Sequence, residues 1–291
     1  MASQSPLGAY LRARRGLVRP EDVGVRTGGG QRRVVGLRRE EVAIRAGIST
    51  EYYLRLEQGR ESHPSDQVLK ALARALLLDD VASAYLHELA DRPSPPRTEA
   101  LDVVPDGVQW LIDSWRLTAA VVHSRHLDVL ATNALARAVT PTFRVGVNSL
   151  LALLTDPHER MLHQDWEGLS ARSVALFRLM SGKRSEDLRL RALVAELSER
   201  STRFRELWER NDVVQVSDGT HVLRHPEVGP LTLHFVRLPL TGTDGQSIFL
   251  YHAEPDTPTA QALAALAALG GSSRDTHVDA ARPSVASWSS T

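Results

Sequence analysis

At 291 residues the chain has room for two domains, since about 100–200 residues per domain is usual. Its 35 Lys+Arg and 35 Asp+Glu give a formal net charge of zero, which taken whole argues against a protein wrapped generically around nucleic acid. The lack of cysteine excludes a disulfide framework, a thiolate metal site, an iron–sulfur cluster and a Cys nucleophile.

The charge is not evenly spread. Residues 1–60 hold 12 Arg against 6 acidic residues, and the remainder holds 23 basic against 29 acidic, so the N-terminal part is the one suited to an anionic partner. The opening run MASQSPLGAYLRARRG has no apolar core of a signal peptide, and no stretch of about 18 apolar residues occurs. A cytoplasmic protein that does not touch membranes is expected.

In chain order, residues 7–92 read as short helices with two interruptions, 20–36 and 59–64. The first interruption contains Gly28-Gly29-Gly30 beside Arg26, Arg32 and Arg33. That stretch is either a basic arm for phosphates or the minor groove, or a solvated loop whose arginines keep it soluble. It is no phosphate loop, because no strand precedes it and no Gly-Lys-Ser/Thr follows. Residues 93–99 form a Pro-rich linker. Beyond it the pattern predicts a helix over 100–116, a strand pair over 117–125 and 127–132, and a helix over 134–139. Helical spacing runs from about 147 to 211. β-rich runs follow at 213–216, 220–224, 228–238 and 248–253, separated by turns, which suggests an antiparallel meander. An Ala/Leu helix over 257–269 and a Ser-rich, disordered tail over 271–291 close the chain. The domains expected are therefore 1–92 and 100–270, an all-α helix-turn-helix domain followed by an α+β domain.

The most informative segment spans residues 37–59. Val42, Ala43 and Ala46 share the inner face of one helix, Gly47 suits a turn with φ > 0, and Ser49 is placed to cap the next helix. Tyr53, Leu54 and Leu56 supply that helix's apolar side. These offsets are those of a helix-turn-helix, in which the start of the second helix meets base edges in the major groove of double-stranded DNA. Ser49, Thr50, Glu51 and Tyr52 are the candidates, with Arg55 one turn on. Arg55 suits guanine, Glu51 a cytosine amino group, and Thr50 a thymine methyl or a phosphate. Arg38 and Arg39 are placed for phosphate contacts that fix register. The competing reading is an ordinary α-hairpin with solvated charges. Paired half-sites one helical turn apart make a homodimer the expected state.

In the second domain Trp110, Leu111, Trp115, Phe177, Met180, Trp208 and Phe235 are candidate walls of an apolar pocket, each of them also readable as plain core. Metal and hydrolase signatures are missing. His158 and His163 lack HExxH spacing, His225-Pro226-Glu227 has no PCxxC partner, and no GxSxG occurs. Neither a cofactor nor an enzyme activity is expected.

The motifs LGAYLRARR (7–15), EDVG (21–24), GLRREEVA (36–43), AGIS (46–49), EYYLRLEQGR (51–60) and PSDQVLKALARAL (64–76) resemble those of the MmyB-like transcription regulators, whose DNA-binding part is of the Xre type. The resemblance continues through HLDVLATNALARA (126–138), DWE (165–167), FRELWERNDV (204–213), GTHVLRHPEVGPLTL (219–233) and YHAEP (251–255). It implies a PAS-like ligand-binding second domain, a small apolar ligand such as a fatty acid, and an ion pair between Glu57 and Arg15. His234-Phe235-Val236 departs from the Asp-Tyr-Glu-like triplet common at that place, which bears on what the ligand is.

Overall fold

The computed structural model describes residues 5–24, 35–61, 63–90, 103–181 and 187–271. The linker 93–99, the tail beyond 271 and the arginines Arg26, Arg32 and Arg33 lie outside these residues.

The N-terminal part is helical throughout: α1 (Pro6–Leu17), a short 3-10 turn (Pro20–Val23), α2 (Arg39–Ala46), α3 (Thr50–Glu57), α4 (Asp66–Ala75) and α5 (Asp80–Ala90). Pro6 opens α1, where its missing N–H leaves no bond unmade. The helices enclose one core built on Leu7, Tyr10, Leu11, Val42, Tyr53, Leu56, Leu72 and Leu86. Gly8 sets how close α1 lies to α3, because a Cβ there would strike the backbone carbonyl of Glu57.

The second part contains α6 (Asp106–Ser114), β1 (Ala119–His123), β2 (Val129–Thr132), α7 (Ala134–Val139), α8 (Ser149–Thr155), α9 (Pro157–Leu162), α10 (Trp166–Ser181), α11 (Leu188–Arg200), α12 (Thr202–Glu209), β3 (Asp218–His225), β4 (Gly229–Pro239), β5 (Ser247–His252) and α13 (Pro258–Gly271). The strands form a sheet in the order β2-β1-β5-β4-β3, and every neighbouring pair is antiparallel. On β4 the inward side chains Leu231, Leu233 and Phe235 alternate with more exposed residues, the period of a sheet with one face buried. The chain is thus an all-α domain followed by an α+β domain.

Asn133 fastens several of these elements together. Its side-chain oxygen accepts from the N–H of Ala136, capping α7, and from the N–H of Ala120. Its amide donates to the carbonyls of Ile112 and Thr118. The run 213–216, expected as a strand, has no ladder partner. Its valines are taken up by packing instead: Val213 against the helical core, Val214 and Val216 against Leu176, Phe235 and Phe249.

The two parts touch. Arg14 of α1 pairs with Asp212 at 2.7 Å, and Leu179 of α10 packs on the helical core. Arg178 interacts electrostatically with Tyr85 of α5, donates to the Trp208 carbonyl, and lies 3.6 Å over the Trp208 ring. Burial pulls its guanidinium down to about 10, with Tyr85 opposing that shift.

Candidate functional site

α2 ends at Gly47, whose φ of 66° is the left-handed conformation that lets the chain turn without a Cβ penalty. Ser49 then caps α3, its hydroxyl accepting the N–H of Tyr52 at 3.1 Å. With Val42, Ala43, Ala46, Tyr53 and Leu56 turned into the core, α3 leaves Thr50, Glu51 and Arg55 on its open face, with Tyr52 half-buried beside them. Arg55 rests between Glu51, 3.8 Å away, and the Tyr52 ring, 5.7 Å from its guanidinium. These contacts are solvated and weak, so the guanidinium is available to a base edge.

Arg38 and Arg39 divide differently. Arg38 is exposed, and its backbone N–H donates to Glu41 at 2.6 Å. Arg39, expected to contact phosphates, also binds Glu57, with Nε 2.7 Å from Oε2, while 42% of its side chain stays exposed. Glu57 is buried and also binds Arg15, whose Nε lies 2.6 Å from Oε1. Arg15 donates in addition to the carbonyl of Leu37. Burial opposes ionisation of Glu57, yet the hydrogen bonds from Arg15 and Arg39 outweigh it and hold the carboxyl below its ordinary range. The ion pair implied for Glu57 and Arg15 is therefore a three-membered cluster, and it ties α1, α2 and α3 into one unit.

The second domain holds a cavity of about 110 Å³ between one face of the sheet and α8, α9 and α10. Leucines from several elements line it, including Leu150, Leu153, Leu176 and Leu233. Its titratable residues include His123 on β1, His221 on β3, and Glu159 and His163 around the end of α9, and Thr140, Thr142, Ser149, Ser173 and Tyr251 add hydroxyls. Glu159 is buried and accepts from Thr140 (2.7 Å), Thr142 (3.0 Å) and His163 Nε2 (3.1 Å). Burial pushes its carboxyl up and these donors pull it further down, so it is an anion at neutral pH. Burial drives both His123 and His221 down to about 4, so each is neutral there. Among the described residues no group of His, Asp and Glu side chains could hold a metal ion.

None of Trp110, Trp115, Phe177, Met180, Trp208 and Phe235 lines this cavity. Trp110 stands out in solvent at 73% exposure, and Trp115 packs against the α6 side of the sheet. Phe177, Met180 and Trp208 fill a helical core cluster, where Trp208 stacks on Phe204. Phe235 lies directly behind the wall, against His221 and Tyr251. Large apolar side chains had the volume to close space; the void is left where histidines and leucines meet. The signal in the sequence was a set of polar residues in strands that otherwise read as core: His123 after Ala119-Ala120-Val121-Val122, and His221 beside Val222 and Leu223.

A family model described as the MmyB-like transcription regulator ligand binding domain matches residues 104–266, and one for a helix-turn-helix domain matches residues 6–86. Both are regulator domains, not enzyme families. No curated protein matches the chain.

Proposed function

The chain belongs to the family of MmyB-like transcription regulators, and from that premise we propose that it reads a specific operator as a cytoplasmic homodimer and answers to a small apolar ligand. That it is a DNA-binding regulator with a ligand-binding domain follows from its two matched domains. The observation that carries the rest is the open face of α3, where Thr50, Glu51 and Arg55 stand exposed behind a capped N-terminus. This is the end of a recognition helix that enters the major groove, and Arg38 sits alongside for phosphates.

Apolar surface on and after α6 supports pairing of two copies: Trp110 is 73%, Leu111 46% and Leu117 56% exposed. Control runs through α10. Leu169, Ser173 and Leu176 of this helix line the cavity, while Arg178 and Leu179 near its end meet the helical domain. A ligand that favours one position of α10 shifts the arrangement of the DNA-reading helices. The same exposed α6 face favours a second reading, a domain that only dimerises or holds a protein partner. Native mass spectrometry of protein taken from its own host separates the two, since a co-purifying small molecule belongs to the first alone.

Selection of bound fragments from genomic DNA tests the main reading. Half-sites centred about 34 Å apart, one helical turn, are expected. Recovery of fragments with no shared motif would refute sequence-specific reading by α3.

A further inference from the structure

The cavity's size and chemistry say more about its occupant than that it is apolar. Its volume of about 110 Å³ is on the scale of the ~150 Å³ apolar cavity that accommodates benzene. The polar walls are set with aromatic rings: Phe143 stacks on Tyr251 at 5.5 Å, and His123 meets Phe143 and Phe249 edge-on at 6.3 and 5.1 Å. Such a box suits a flat ring.

Two buried nitrogens in this lining have no partner. His123 bonds Ser149 through Nε2 at 2.8 Å, and His163 bonds Glu159 through Nε2 at 3.1 Å, while the Nδ1 atom of each is left without a hydrogen bond. Buried polar atoms are almost always paired, so two orphans in one cavity wall mark positions that a bound molecule satisfies. An ionised carboxylate only accepts, so Nε2 of His163 carries a proton; His123 is kept neutral by burial, and with Nε2 donating to Ser149 its Nδ1 is an acceptor. The matching group on a ligand is an O–H or N–H donor.

The charges point the same way. Glu159 is anionic and already holds three donors. Neither Lys nor Arg is among the described residues lining the cavity. A ligand carboxylate would bring a second negative charge beside Glu159 into a lining without Lys or Arg to meet it.

We propose that the cavity takes a compact, uncharged ring compound carrying a hydroxyl or N–H donor, of the phenol class, and rejects carboxylates of the same size. This rests on the ligand-sensing reading of the second domain and deepens it. The donor contacts His163 Nδ1 or His123 Nδ1, the ring fills the space against Phe143 and Tyr251, and Glu159 excludes anions.

The test is titration calorimetry of the full chain with phenol, toluene, benzoate and myristate. Phenol is expected to bind at least tenfold more tightly than benzoate. His163→Phe should lower phenol affinity about tenfold, the worth of one hydrogen bond to a buried acceptor, and leave toluene binding unchanged. Glu159→Gln should narrow the gap between phenol and benzoate, and it keeps the charge argument testable if His163→Phe fails to fold. Benzoate or myristate binding as tightly as phenol overturns the proposal and leaves a ligand-binding domain standing. Binding by none of the four overturns the proposal and the sensing reading together.

Discussion

Replacing Glu57 by Gln tests the cluster that joins the DNA-reading helices. Glu57 has no side-chain exposure and Arg15 only 13%, with 2.6 Å between them, so their pairing is an interior one. Removing one partner of a buried pair leaves the other desolvated and unpaired, at a cost of about 3–5 kcal/mol. Arg39 is 42% exposed, and its contact adds at most ~1 kcal/mol. Gln keeps the volume and one acceptor oxygen, which places the expected loss at the low end, about 3 kcal/mol. For a helical domain of this size that corresponds to a Tm lowered by about 15 °C. The effect carries a pH signature. Because the folded pKa of Glu57 lies below its unfolded value, its contribution is full above the ordinary carboxylate range and is lost as pH falls through the folded value. Urea unfolding followed by far-UV circular dichroism should therefore show the parent and Glu57→Gln far apart at pH 7 and converging as pH falls below the ordinary carboxylate range. The double change Arg15→Met with Glu57→Leu should recover most of the loss, since it removes both buried charges. A Glu57→Gln protein within ~0.5 kcal/mol of the parent at pH 7, or a difference that does not shrink in acid, would refute the assignment.

Three further outcomes are expected. Arg55→Ala should cost about 1–3 kcal/mol of operator binding and relax base preference, whereas Arg38→Ala should weaken all sequences alike and reduce the salt slope by about 1; binding across operator variants and salt concentrations separates them. Trp110→Lys should shift the protein towards monomer in sedimentation velocity without altering its circular dichroism, and an unchanged dimer would remove α6 from the interface. Arg178→Met leaves the buried Tyr85 hydroxyl without its cationic partner. It should loosen the contact between the domains, read as faster amide exchange at the end of α5 and in α10, while both cores keep their protection; unchanged exchange there would show that Arg178 does not hold the joint.

Much of the N-terminal half was readable because its geometry is local. Gly47, Ser49 and the spacing of Val42, Ala43 and Ala46 act within a few residues of one another, and each meets the structure where its offset placed it. The same holds for α7, which spans the stretch read from its sequence and is capped by Asn133. The contact that Arg39 makes is hidden from the sequence for the opposite reason. Its partner Glu57 lies 18 positions away, and nothing near Arg39 reveals that pairing. The cavity is the extreme case. Its polar walls come from β1, β3, β5, α8, α9, α10 and the segment after α7, so the void exists only once the sheet and helices close. The run 213–216 has the composition of a strand and the contacts of a packed loop, because the ladder positions it would need lie elsewhere.

α10 has a consequence beyond stability. From Leu169, in the cavity wall, to Leu179, against the helical core, the distance along the helix is about 15 Å at 1.5 Å per residue. One continuous helix joins the two. Under the control proposed above, thermodynamic reciprocity has operator DNA change the affinity of the cavity for its occupant by the same factor by which the occupant changes affinity for the operator. Promoter occupancy would thus tune how sensitively each copy of the protein samples its chemical surroundings, so that molecules on DNA and molecules off it respond at different concentrations of one signal.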